Sequence, residues 1–164
     1  MANFLSKMGD ERLFCYNWLY PIDKRASLLL TQCFLLNKQF QESKDKWQGL
    51  STLQEDRDFF KFESIEWGWR AAFVILCRTY YGKYGLKTIR DIVSRWAPAK
   101  ENNTEAYIRH VSDYTGTAPN KVLGSPQEHP TQWLLIGYAM AVVENGKALP
   151  AVAMLKGFAL AVEK

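Results

Sequence analysis

Four side chains in one short polar stretch are suited to carbohydrate chemistry: Glu101, Asn102, Asn103 and Tyr107. A carboxyl group held protonated can deliver a proton to a glycosidic oxygen, while amides and a phenol can pair with the hydroxyls and acetamido groups of an amino sugar. Glu101 is the candidate acid because two amides follow it; a solvated loop carboxylate is the plainer reading of the same residue. Asn102 and Asn103 suit sugar contacts, and equally suit caps and turns ahead of a helix. Tyr107 lies one turn inside that helix, placed either to lean toward the loop or to pack in the core. Trp47 and Trp96 offer indole faces on which a sugar ring could stack, or large apolar bodies for the interior.

These residues need two helices to hold them. Ile89, Ile92, Val93 and Trp96 recur at helical spacing behind Thr88, a cap with Asp91 three residues on. Pro98 closes that helix, because the residue before a proline is pushed out of the α region. Thr104 and Glu105 then open a second helix whose Tyr107, Ile108, Val111 and Tyr114 should face a core. The stripe ending at Trp96 needs cover, and the long helix predicted over 65–81 behind Ser64 should supply it, with Ile65, Trp69, Ala72, Phe73, Leu76 and Tyr80 at three- and four-residue steps.

Elsewhere, the run from Ser27 to Leu36 reads as a helix apolar on nearly every face, after an irregular amphipathic segment over 4–19. Trp47 to Leu50 and Phe59 to Phe62 read as a small strand pair around a charged loop. A helix beginning at His129 or Thr131 should reach Val143 and stop at Asn145-Gly146, and Pro150 starts a last helix to the C-terminus. Gly137-Tyr138-Ala139 and Gly157-Phe158-Ala159 echo one another, as two paired core helices would.

Composition narrows the function. With 164 residues, 48% apolar and 14% aromatic, the chain is expected to build one domain around one core. The net charge is +4, but Lys and Arg read as interspersed with acids, so no nucleic-acid partner is expected. Cys15, Cys33 and Cys77 are far apart, and His110 and His129 have no neighbouring ligand at helical spacing, so neither a disulfide framework nor a metal site is expected. No Gly-rich phosphate loop and no activated nucleophile appear, and no cofactor is expected. The apolar runs are too short to span a bilayer, and nothing at the start reads as a secretory signal, which predicts synthesis in the cytoplasm without a signal peptide.

Six pieces of the chain carry a resemblance: Trp47-Gln48-Gly49, Phe60-Lys61-Phe62-Glu63-Ser64, Gly68-Trp69-Arg70-Ala71-Ala72, Tyr84 to Ile89, Arg95-Trp96-Ala97-Pro98, and Glu101-Asn102-Asn103-Thr104-Glu105-Ala106-Tyr107. Together they resemble a family of small virion-associated structural proteins of phages and prophages. Their order in turn resembles the later part of lysozyme-like glucosaminidase domains, over about residues 44 to 163. The resemblance implies a mainly α, single-domain, lysozyme-like helical fold with a small strand pair near 47–62, in which 44–164 is the core and 1–43 a divergent helical segment. It implies a virion-associated structural protein that engages peptidoglycan or another amino-sugar glycan, with other virion proteins as further partners. The alternative is an active glycan-strand hydrolase using Glu101. Upstream of Trp47 the chain departs from the pattern: relatives carry an Asn-rich segment where this sequence has Arg25 to Lys38. The only acids before Lys24 are Asp10, Glu11 and Asp23, so no catalytic glutamate carries over.

Overall fold

The computed structural model describes residues 35–37, 47–54, 59–98, 103–145 and 150–163. They form a mainly helical structure with one antiparallel strand pair, β1 (Leu35–Asn37) and β2 (Phe59–Lys61). The helices are α1 (Ile65–Phe73), which runs on without a break as a π-helix over Val74–Lys83, then α2 (Ile89–Trp96), α3 (Thr104–Thr115), α4 (Pro130–Asn145) and α5 (Ala151–Val162). Trp69, Trp96, Trp133, Phe62 and Phe73 are among the largest fully buried side chains, so the core is built on aromatic volume.

The first helix is the axis of the core, and glycines allow its neighbours to reach it. A Cβ at Gly157 on α5 would lie 2.8 Å from both the Arg70 nitrogen and the Glu66 carbonyl oxygen, and would strike the Trp69 Cβ. A Cβ at Gly137 on α4 would lie 2.7 Å from the Phe73 ring. The two echoing segments thus approach α1 one turn apart, α5 against its backbone and α4 only by way of the Phe73 ring. α5 packs mainly on α1, and α4 mainly on α3. Phe73 stacks on Trp69 with centroids 5.6 Å apart and meets Phe158 edge to face at 5.0 Å.

Beyond Phe73 the helix widens, with hydrogen bonds reaching back five residues, as in Tyr84 N–H to the Thr79 carbonyl at 2.9 Å. Ile75, Leu76, Cys77 and Tyr80 are buried along this wider turn. Tyr80 meets Trp96 edge to face at 6.4 Å, and Tyr81 meets Trp133 at 5.3 Å. The expected helix over 65–81 is present, but its second half is π rather than α, a difference that the three- and four-residue spacing of its apolar positions does not announce.

Three further expectations are corrected. Leu35 and Leu36, expected at the end of an all-apolar helix, lie in β1; a short apolar run fits a buried strand as well as a helix, and periodicity does not separate them. The rest of that run, and the amphipathic segment over 4–19, lie outside the described residues. The strand pair near 47–62 is half right. Phe59–Lys61 is a strand, but its ladder partner is β1, in the register Leu35 to Lys61 and Asn37 to Phe59. Leu50 contributes a single bridge to Phe62, and the Gln54 side-chain amide bonds both the N–H (3.0 Å) and the carbonyl (2.7 Å) of Lys61, standing in for a strand. Tyr114, expected in the core, is 47% exposed at the end of α3 beside Tyr138.

Candidate functional site

The junction between α2 and α3 is closed at its base by side chains that the local sequence supplies. Thr88 Oγ1 accepts from the Asp91 N–H at 3.1 Å, capping α2 as its spacing predicts. Asn103 Oδ1 accepts from the Ala106 N–H at 3.2 Å, capping α3. The buried Thr104 hydroxyl donates to the Ala97 carbonyl at 2.6 Å and pulls the two ends of the connection together. Outside this, Arg90 of α2 pairs with Glu105 of α3 in an exposed ion pair worth little by itself.

Inside the junction, three helices converge on one carboxylate oxygen. The Tyr107 hydroxyl of α3 donates to Glu144 Oε1 of α4 at 2.8 Å, and the Trp96 Nε1–H of α2 donates to the same oxygen at 3.3 Å. Tyr107 also reaches the Met140 carbonyl, 3.3 Å away. Glu144 is the one acidic or basic residue in the apolar helix Pro130–Asn145. A half-buried charge in such a helix needs partners, and the indole and phenol provide them. Sequence reading passed over Glu144; the signal that marks it is a lone acid at the end of an otherwise uncharged helix.

The placement of the candidate residues divides them. Trp96 is 2% exposed, Tyr107 6% and Trp47 7%, so none presents an open ring face on which a sugar could stack. The stripe Ile89, Ile92, Val93 and Trp96 is buried, covered chiefly by α3 and reached by Tyr80 of the long helix. Trp47 belongs to the core together with Phe60 and Phe62, and its buried Nε1 has no hydrogen-bond partner among the described residues. The Trp-x-Gly pattern has its own steric reason: Gly49 sits at φ +69°, and a Cβ there would run into the Trp67 indole. Asn103 is exposed but spends its side-chain oxygen as a cap. Glu101 and Asn102 lie outside the described residues.

Transfer of a proton to a leaving oxygen requires an acid whose proton points at substrate. The carboxylate that the fold places at the junction instead accepts from two fixed donors through Oε1, which suits a tie between helices. Among the described residues, no three His, Cys, Asp or Glu side chains gather as metal ligands would. Burial pushes the Cys77 thiol up to about 12, far from the range of a nucleophile. A shallow cleft of about 400 Å³ opens between the end of α3 and the start of α4, with Thr115, Thr117, Glu128, His129 and Gln132 on its walls. It begins about 12 Å along α3 from Tyr107, at 1.5 Å per residue, so it is separate from the Trp96–Tyr107–Glu144 cluster.

One group of residues comes together only in three dimensions. Lys83 Nζ and the Arg95 guanidinium both lie over the Tyr84 ring, 5.1 and 5.0 Å from its centroid, and Lys87 Nζ lies 5.6 Å from that of Tyr81. The tyrosines come from the π-helix and its cap, while Arg95 comes from α2, adjacent to Trp96.

Among proteins of known sequence, the chain is similar to Protein P5 of Pseudoalteromonas phage PM2, with 41% identity over 101 residues, or 62% of this chain. The matched stretch spans 59% of that relative's length. No family model matches the chain. The chain thus has a homologue among phage proteins, and no helix among its described residues is long and apolar enough to cross a membrane.

Proposed function

We propose that this chain is a phage-derived, virion-associated structural protein with a single lysozyme-like helical domain, and that it engages cell-wall peptidoglycan at the α2–α3 junction without cleaving it. The homology to Protein P5 of a phage supports the phage origin. The junction supports the contact: its base is locked by Thr104 on Ala97 and by the Asn103 cap, so Asn103 is held at the start of α3 close to the end of α2. Asn102 and Asn103 supply the amides for acetamido and hydroxyl groups, while Trp96 and Tyr107 brace the two helices of the junction.

The observation that carries the non-catalytic part is the closure of Trp96 and Tyr107 on Glu144. In a glycan-cleaving cleft an aromatic pair and a carboxylate would face substrate; here they face one another, and the carboxylate oxygen already holds two donors. The hydrolase alternative leaves Glu101 alone as its acid. Mass spectrometry of purified particles from a host that carries the gene tests the virion assignment. The expected result is the intact chain in stoichiometric amount with other virion proteins, and its absence from particles overturns the assignment.

A further inference from the structure

Between Arg78 and Pro98 the chain carries five Lys or Arg residues and one acid, Asp91. Folding turns that run into a surface. Lys83, Tyr84, Lys87 and Arg95 are exposed at the corner where the π-helix gives way to α2. The segment over 119–123 is laid alongside by two backbone bonds, Leu123 N–H to the Lys87 carbonyl (2.8 Å) and Arg90 N–H to the Pro119 carbonyl (3.0 Å), which brings in the exposed Lys121. Arg90 is held at the edge by Asn120 and Glu105. Asp91, one turn before Arg95, is the acid nearest to it along α2.

The aromatic rings matter as much as the charges. Lys83 and Arg95 are each drawn to the Tyr84 ring by its quadrupole, which fixes two cations at this corner. An arrangement of this kind is pre-set for a partner whose negative charges are closely and regularly spaced. Basic side chains interleaved with exposed aromatic rings are also the combination that tracks a nucleic-acid backbone, with phosphates on the cations and bases on the rings. The overall charge of +4 and pI near 8.9 favour the same encounter.

We propose that the corner formed by Lys83, Tyr84, Lys87, Arg95 and Lys121 is a sequence-independent nucleic-acid-binding surface that contacts the phosphate backbone. It is independent of the wall-binding junction and does not use Asn102, Asn103 or Glu101.

The test is fluorescence anisotropy of the full chain with labelled single-stranded and duplex DNA of scrambled sequence, between about 50 and about 200 mM salt. The wild-type chain should bind both, with affinity falling steeply as salt rises. The combined variant Lys83→Gln, Lys87→Gln, Arg95→Gln and Lys121→Gln should flatten the logarithmic salt dependence by about 0.7 per lost contact on single strands. A control variant, Arg109→Gln with Lys156→Gln, removes exposed charges elsewhere and should leave the slope unchanged; circular dichroism checks that both variants fold. Absence of DNA binding at low salt overturns the proposal, as does an equal loss in the control. Binding confined to phosphatidylglycerol vesicles, with none to DNA, also overturns it and assigns the corner to a membrane surface.

Discussion

The Tyr107 hydroxyl sits 2.8 Å from Glu144 Oε1, and this bond joins α3 to α4 at the point where Trp96 brings in α2. One carboxylate oxygen therefore ties together three helices that have no covalent link nearby. Tyr107→Phe removes one donor while Trp96 still holds the oxygen, so it should cost about 1–1.5 kcal/mol in urea denaturation. Trp96→Ala removes both a donor and a large core side chain and should cost about 3–5 kcal/mol. A Trp96→Ala chain as stable as wild type would place the indole in an open groove and restore the sugar-stacking role.

The two helix glycines should differ in a defined direction. Gly157→Ala sets a methyl group against backbone atoms of α1 that have no way to turn aside, so α5 must lift away; a loss of about 1–3 kcal/mol or more is expected. Gly137→Ala meets the Phe73 ring, which can tilt, and should cost less. Thermal melts of the two variants check the order, and the reverse order would contradict the proposed close approach of α5.

Cys77 should be inert in the native protein. Desolvation within the core raises its thiol to about 12, outweighing the nearby Arg78 charge that acts the other way. At neutral pH a thiol probe should modify Cys77 only after denaturant is added, as mass mapping of the labelled peptide would reveal. Rapid labelling of Cys77 in the folded chain would contradict its burial.

Among the described residues, two carboxyls contribute to the response to acid. The Arg90 hydrogen bond holds Glu105 below its ordinary value of 4.5, and the Ser64 hydroxyl does the same for Glu66. Because these folded-state values are depressed, their stabilisation is complete above the unfolded value and is lost as pH falls through the folded ones. The melting temperature should therefore hold from neutral pH to about 5 and fall below about 4.5. Glu105→Gln should shrink the acid-side drop; an undiminished drop in that variant would mean that the pair does not form in solution.

Much of this architecture can be read from local pattern. Thr88 with Asp91, and Asn103 before Ala106, cap their helices as their residue types require, and the Ile89 to Trp96 stripe is buried as its spacing demands. What escapes sequence reading depends on distant partners. The Leu35–Leu36 strand needs Phe60 and Lys61 across from it, the π-turn over Val74–Lys83 has no periodic mark, and Glu144 gains its role only when Trp96 and Tyr107 arrive from other helices. The basic corner was missed for the same reason: Lys121 joins Lys83, Lys87 and Arg95 through backbone bonds between segments about thirty residues apart.

Cosedimentation with purified peptidoglycan sacculi, read together with the turbidity of the same suspension, tests the central claim most directly. The wild-type chain should pellet with sacculi and leave the turbidity unchanged. Asn103→Ala, which also weakens a cap, should reduce pelleting only if the melting temperature shows the chain still folded, and Glu101→Gln should change neither reading. A fall in turbidity that Glu101→Gln abolishes would contradict the account and make the protein a glycan-strand hydrolase. A folded wild-type chain that stays in the supernatant would contradict wall engagement altogether.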